Sequence, residues 1–221
     1  MKINDRLKKI GDLVDTNSLC LDIGCDHALL DIYLVKEKKQ AKAIAADIAE
    51  GPLESAKENI KRYHVEDMVE TRLGDGLSTY SDEIDTAIIS GMGGRTIIGI
   101  FKNNLKITKK LKQIIVSPNN YQKDVRKFFT SIGFYIEDEE LVKDGKYIYQ
   151  IIKFKKGKKH YSKKDIFFGP ILLTKKNKLF KDYYNRELTS RKIMIELLPK
   201  NYRLKKYKTK YEIKLIKKEL E

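Results

Sequence analysis

The stretch Leu19-Cys20-Leu21-Asp22-Ile23-Gly24-Cys25-Asp26-His27-Ala28-Leu29-Leu30 constrains the fold more than any other. Its apolar run stops at an acid-Ile-Gly, a short polar turn follows, and an amphipathic run begins at once. That order reads as buried strand, tight ligand-facing loop, then helix, the opening unit of a nucleotide-binding α/β domain. The loop departs from the G-x-G-x-x-G pattern, because Asp26 and Leu29 stand where the second and third glycines would be. A carboxylate at that place repels a pyrophosphate. The loop therefore suits a ligand with hydroxyls and an amine, and it argues against a dinucleotide-dependent dehydrogenase.

The same alternation continues along the chain. Ile3, Leu7, Ile10 and Val14 recur at helical spacing and predict a short amphipathic helix before the first strand at 19–23. Residues 41–47 predict a second strand that ends in Asp47. Pro52 sits at a first-turn position of the next helix, whose face carries Leu53, Ala56 and Ile60. Val69 to Leu73 predicts a third strand closed by Gly74-Asp75-Gly76, and Ile84 to Ser90 a fourth closed by Gly91-Met92-Gly93-Gly94. Lys112 to Val116 predicts a fifth, closed by Ser117-Pro118-Asn119-Asn120, and a helix follows over 122–131. Phe134–Leu141 and Lys146–Phe154 flank the turn signal Asp144-Gly145 and predict a hairpin. The sum is a doubly wound α/β domain with a largely parallel sheet and an antiparallel edge.

Beyond a basic hinge at 155–164 the period changes. Phe180, Tyr184, Leu188, Arg191, Ile195 and Leu198 recur at three and four, Pro199 ends that run, and Leu204, Tyr207, Tyr211 and Leu215 repeat it. Two helices paired antiparallel along these stripes are expected. The domain division is thus 1–155 and 156–221.

Charge follows that division. Residues 155–221 hold 22 Lys and Arg against 7 Asp and Glu; of the chain's 46 and 31, this leaves 24 against 24 for residues 1–154. A neutral domain with a basic appendage points to a polyanion, most often nucleic acid, with an anionic membrane surface as the competing partner. The two cysteines, Cys20 and Cys25, make neither a disulfide scaffold nor, with three histidines, a zinc set. Met1 to Val14 is charged throughout, and no apolar run reaches the roughly 18 residues of a membrane span. A cytoplasmic protein is expected, with no sign of an obligatory protein partner.

Ligands of doubly wound sheets bind at the carboxyl ends of the strands. Gly24 permits close backbone approach there. Asp47, 23 residues after Gly24, is placed to accept from both hydroxyls of a ribose. Asp75 either accepts from an adenine amino group, with Gly76 along the ring edge, or merely caps a helix. His27 either satisfies a backbone group or stacks on a base. Gly91, Gly93 and Gly94 either floor the reacting centre or serve helix–strand packing.

Asp22-Ile23-Gly24-Cys25-Asp26-His27-Ala28, Ala46-Asp47-Ile48, Gly51-Pro52-Leu53, Arg72-Leu73-Gly74-Asp75-Gly76-Leu77, Ser90-Gly91-Met92-Gly93-Gly94 and Ser117-Pro118-Asn119 together resemble one family, the bacterial tRNA (adenine-22)-N1-methyltransferases. The resemblance runs from Arg6 to the tail. Cys25 stands where the family usually has Ser, and Ser117 where it usually has Gln, close to the substrate base. It implies a Rossmann-like class I methyltransferase domain with a C-terminal antiparallel two-helix coiled coil, S-adenosylmethionine as cofactor and tRNA as partner. It further implies a cofactor-binding set of Asp22, Gly24, Asp26, His27, Asp47, Ile48, Asp75, Gly76, Gly91, Met92 and Gly93, with Asp26 and Asn119 as catalytic candidates. Asp26 either stabilises the cationic methylated base or orders the first loop or the cofactor's amino group. N1 lies on the pairing edge, so the base must be unpaired and held by stacking, with Tyr121 and His27 as platforms. Three other readings compete: a methyltransferase acting on protein or a small molecule, a non-catalytic RNA-binding protein, and the dehydrogenase above. The basic tail, the joint presence of Asp47, Asp75 and the glycines, and Asp26 respectively weigh against them.

Overall fold

The computed structural model describes Met1, residues 3–199 and residues 201–221. They form two compact units, Met1–Leu173 and Thr174–Glu221.

In the first unit, helix α1 (Asp5–Leu13) is capped by Asn4, whose side chain accepts the Leu7 N–H. Strands and helices then alternate as β1 (Cys20–Ile23), α2 (Leu29–Lys36), β2 (Ala43–Asp47), α3 (Glu50–Arg62), β3 (Val69–Leu73), a short 3-10 helix (Gly76–Thr79), β4 (Thr86–Ser90), α4 (Gly94–Asn103), α5 (Leu105–Thr108), β5 (Gln113–Ser117) and α6 (Gln122–Ser131). The hairpin β6 (Phe134–Asp144) and β7 (Tyr147–Lys156) closes the sheet, and α7 (Lys163–Phe168) follows it. Strand order is β3-β2-β1-β4-β5-β7-β6. The first five strands are parallel, and β7 lies antiparallel between β5 and β6. Order reverses between β1 and β4, so the crevice at the carboxyl ends of those two strands is the topological switch point.

β1 and β5 are buried along their whole length, which is why their sequences are mostly apolar and do not alternate, with Asp22, Gln113 and Ser117 as the polar exceptions. One face packs Leu21, Ile44, Ile89, Ile114 and Phe154 with Ile97, Phe101 and Phe129 from α4 and α6. The other packs Cys20, Ile88 and Ile115 with Ile10 and Val14 at α1 and Leu30 and Leu34 from α2. Both cysteines are buried and free, and burial raises each thiol well above its usual range, so they behave as small apolar groups.

Asp31 on α2 is a polar exception. It is fully buried, and neither carboxylate oxygen has a hydrogen-bond partner on another residue. Burial, with the Asp22 charge behind it, holds its carboxyl well above the ordinary range. A folded-state pKa raised above the unfolded value means that stability falls as pH rises out of the acid range. Asp31→Asn should therefore match the wild type near pH 3.5 and gain on it at higher pH, by up to about 1.4 kcal/mol per pH unit across the window. Thermal melts across that range test this, and a gap that does not change with pH would defeat it.

The unit boundary falls at Leu173/Thr174 rather than at 155/156. The expected hinge is tied down instead: the Tyr161 hydroxyl accepts the Ile136 N–H at 2.8 Å, Ser162 and Asp165 form a capping box on α7, and Phe167, Phe168 and Leu172 are buried. Helix α8 (Pro170–Lys175) crosses the boundary.

In the second unit α9 (Lys178–Leu197) starts on an Asn177 cap and α10 (Arg203–Leu220) follows across 198–202. Lys176 pairs with Glu219 and Arg191 with Glu212, so the start of one helix meets the end of the other, antiparallel. The expected α10 stripe is not the inward one. Leu204, Tyr207 and Tyr211 are 80%, 74% and 54% exposed, while Thr209 and Ile216 are the buried residues. The inward face follows 206, 209, 213, 216 and 220. Lys206 and Thr209 hide it from an apolar count, whereas Tyr207 and Tyr211 tolerate water at their hydroxyl ends.

Candidate active site

Every loop at the switch-point edge belongs to the first unit. Asp22 lies at the end of β1, 4% exposed. Burial, with the Asp47 carboxylate behind it, pushes it up to about 7. The next turn is anchored to β2, since Gly24 and Cys25 both donate their N–H to the Ala46 carbonyl, at 2.8 and 3.1 Å. Asp26 and Ala28 then take left-handed backbone (φ 51° each), which swings the Asp26 and His27 side chains outward. Both are exposed and stand 3.6 Å apart. The Asp26 carboxylate faces the His27 ring and receives no hydrogen bond from the rest of the loop. The His27 carbonyl accepts from the Asn59 amide, which fixes the loop against α3.

Asp47 Oδ1 accepts the Ala49 N–H at 2.9 Å, an Asx turn that leaves the other oxygen for a ligand. Ile48 beside it is 68% exposed, an apolar side chain left largely open. Asp75 occupies the cap position of the 3-10 helix, but its side chain makes no capping bond. Gly76 is buried beneath it, under Ile100.

Two further loops are laced together. Met92 accepts the Asn119 N–H at 2.9 Å through its carbonyl, and the Asn119 amide donates to the Gly91 carbonyl. Asn120 Oδ1 accepts the Gly94 N–H at the start of α4. A Cβ on Gly94 would strike the Asn120 carbonyl, so this glycine serves packing. Gly91 and Gly93 have no such obstruction. Ser117, expected close to a substrate base, is instead fully buried in register with Ser90, and the Oγ of each lacks a partner. Tyr121, also left-handed (φ 55°) and 42% exposed, carries the Arg95 guanidinium over its ring at 4.3 Å.

The structure thus gathers Asp22, Gly24, Asp26, His27, Asp47, Ile48, Asp75, Gly76, Gly91, Met92, Gly93 and Asn119 along one edge of the sheet. Sequence reading missed Asn120 and Arg95. The lacing by Asn120 has no sequence signal beyond an asparagine at a turn. No group of His, Cys, Asp and Glu among the described residues could hold a metal ion.

A seven-stranded sheet of this order, with acids and glycines but no phosphate cradle at its switch point, defines a class I S-adenosylmethionine-dependent methyltransferase. The family model for tRNA (adenine(22)-N(1))-methyltransferase matches residues 20–218, and the chain belongs to that family. It is 29% identical over 196 residues to the tRNA (adenine(22)-N(1))-methyltransferase of Bacillus subtilis, covering 85% of this chain and 82% of that one. Among solved structures, the B. subtilis m1A22 tRNA methyltransferase TrmK superposes with a TM-score of 0.89 at 25% identity, over 100% of this chain and 99% of that chain. M. capricolum TrmK in complex with the cofactor product S-adenosyl-homocysteine gives 0.86 at 28%, over 100% and 98%.

The residues fit the cofactor. Asp47 offers an unused oxygen, Ile48 a largely open apolar surface, Asp75 an unused carboxylate and Asp22 a carboxylate that lacks a cation.

Proposed function

We propose that this chain methylates N1 of adenine 22 of tRNA at the switch-point edge, with the roles divided among its loops as follows. S-adenosylmethionine supplies the methyl group on an electrophilic sulfonium carbon. Asp47 binds the ribose hydroxyls, Ile48 covers the adenine ring, and Asp75 with Gly76 receives its amino edge. Asp22 meets the ammonium group, with Gly24 and His27 completing the first loop. Gly91, Met92 and Gly93 floor the reacting centre. The Asn119 amide is engaged by Gly91, which leaves its carbonyl oxygen to accept from the exocyclic amino group of the target base. Tyr121, backed by Arg95, offers that base a stacking face. N1 carries its own lone pair, so alignment supplies much of the acceleration.

Asp26 supplies the remaining term. N1-methyladenine is cationic, and an exposed carboxylate at the mouth stabilises the charge as it develops. The observation that carries this is the freedom of Asp26 from any loop hydrogen bond. Asp26→Ala should leave thermal stability and cofactor affinity near wild type and lower kcat about 10–100-fold. The assay transfers labelled methyl to unmodified tRNA and maps it by nucleoside analysis. Absence of N1-methyladenosine with the wild type would refute the activity. A lost cofactor affinity with kcat preserved would move Asp26 to the cofactor.

The basic second unit grips tRNA phosphates, and the protein works in the cytoplasm; no helix among the described residues is long and apolar enough to cross a membrane. Lys205, Lys208 and Lys210 are exposed on α10. Their joint replacement by Gln should weaken tRNA binding at least about tenfold near physiological salt and flatten the salt dependence by up to about 0.9 per lost phosphate contact. Cofactor affinity should not move. Equal tRNA affinity in filter binding across salt would remove these lysines from the interface.

A further inference from the structure

Arg6 occupies the apolar side of α1, three residues after Ile3 and four before Ile10. An arginine in an apolar stripe is either paired or waiting for a partner. Arg126, the fully buried arginine, is paired, to Glu139 and Gln150. Arg6 is not: its guanidinium lies on the Tyr149 ring, 4.4 Å from the centre, and its buried Nε has no hydrogen-bond partner. No carboxylate among the described residues forms an ion pair with it.

Its location is the second observation. A Cβ built on Gly91 would lie 3.7 Å from Nη2 and 3.8 Å from Nη1 of Arg6. Gly91 is the first residue after β4, has φ +84°, and carries the carbonyl that holds Asn119. Tyr149 lies three residues before Ile152, the register partner of Val116, and so projects past the end of β5 on the ligand side. The unpaired fork therefore stands beside Gly91 at the ligand edge of the sheet, its plane held by an aromatic ring.

Charge completes the case. The loops around the cleft bring four carboxylates, Asp22, Asp26, Asp47 and Asp75, which suit the positive and hydroxyl groups of a ligand. For the anionic group of a ligand the edge offers helix N-termini and two guanidinium groups, Arg6 beside Gly91 and Arg95 over Tyr121, and of the two Arg6 is the one whose buried Nε lacks a partner. We infer that Arg6 is the oxyanion anchor of the reaction cleft, taking two oxygens of a bound carboxylate or phosphate on its fork. The inference rests on the cleft being the one used for methyl transfer, and both reactants offer the chemistry: the cofactor its aminoacyl carboxylate, the RNA a phosphate beside the target adenosine.

The test is calorimetric binding of S-adenosylmethionine, of its decarboxylated analogue and of unmodified tRNA to the wild type, Arg6→Lys and Arg6→Ala, with melting temperatures alongside. If the anion is the cofactor carboxylate, Arg6→Ala weakens S-adenosylmethionine about 10–100-fold. Arg6→Lys then falls between, and the decarboxylated analogue binds wild type and Arg6→Ala alike. If it is an RNA phosphate, cofactor affinity holds, tRNA weakens, and the salt slope shrinks by about 0.9. Unchanged affinity for both reactants in Arg6→Ala overturns the inference. Where Arg6→Ala does not fold, Arg6→Lys decides, because it keeps charge and stem but loses the fork, and wild-type affinity for both reactants then overturns it. Failure of the wild type itself to bind S-adenosylmethionine would overturn the cofactor site, a result that no Arg6 variant can produce.

Discussion

Arg126→Met is expected to lower unfolding free energy by about 3–5 kcal/mol, seen as a fall in the urea midpoint at unchanged slope. The guanidinium is fully buried at the middle of α6, with Nε 2.6 Å from Glu139 and Nη2 2.6 Å from Gln150, while Nη1 has no partner. Glu139 is equally buried, and its second oxygen accepts the Ile171 N–H at 3.1 Å. Burial raises the Glu139 carboxyl even against the lowering effect of Arg126. With the arginine gone, that carboxylate must take up a proton or stay ionised in an apolar interior. Either outcome costs several times what the pair contributes when intact. Arg126→Met with Glu139→Leu should recover part of the loss, because no uncompensated charge remains, although Gln150 and the Ile171 N–H keep their unmet hydrogen bonds. A single variant within 1 kcal/mol of wild type would show that the pair is not what joins α6, the hairpin and the segment before Leu173. Gly169 belongs to the same joint: it takes φ +94°, and a Cβ there would collide with Glu139 and Arg126.

That joint explains why the domain boundary was not legible in the sequence. Composition turns basic at 155, but the chain remains part of the first unit until Leu173. Part of what keeps it there is a buried pair whose members lie 13 residues apart on a helix and a strand. Local composition carries no trace of such a contact. The parallel strands were legible for the opposite reason. A strand buried on both faces has to be apolar throughout, and the acid or glycine that ends it must face the ligand edge, so strand and site are written in the same residues. Asp22, Asp47, Asp75 and Gly91 were found in this way. Arg6 was not, because the apolar periodicity that marks α1 treats a charged residue in its stripe as noise. On α10 the same periodicity chose the wrong face. Tyrosines count as apolar there yet point to water, while Thr209 is buried because its hydroxyl returns to the Lys205 carbonyl.

Cofactor affinity is expected to fall as pH drops through about 7, by about 10–30-fold between pH 7.5 and 5.5, approaching tenfold per unit at the acid end. The cause is Asp22, which burial and the Asp47 charge push up to about 7 before a ligand arrives. A ligand bearing an ammonium group binds the carboxylate and not the acid, so below that pH each binding event must release one proton. Calorimetry in buffers of different ionisation enthalpy counts that proton directly, with close to one released near pH 6 and few at pH 8. Asp22→Asn should bind more weakly at pH 7.5 and lose the slope, since an amide has nothing to release. The sign for folding runs the other way. An acid whose folded pKa is raised loses stability for its protein as pH climbs from the ordinary carboxylate range toward 7. The free protein is therefore least favoured at the pH where Asp22 is ready to bind, and the ligand's positive charge relieves that cost. A pH-independent dissociation constant would place the ammonium group away from Asp22 and leave Asp26 as the remaining acid of the first loop.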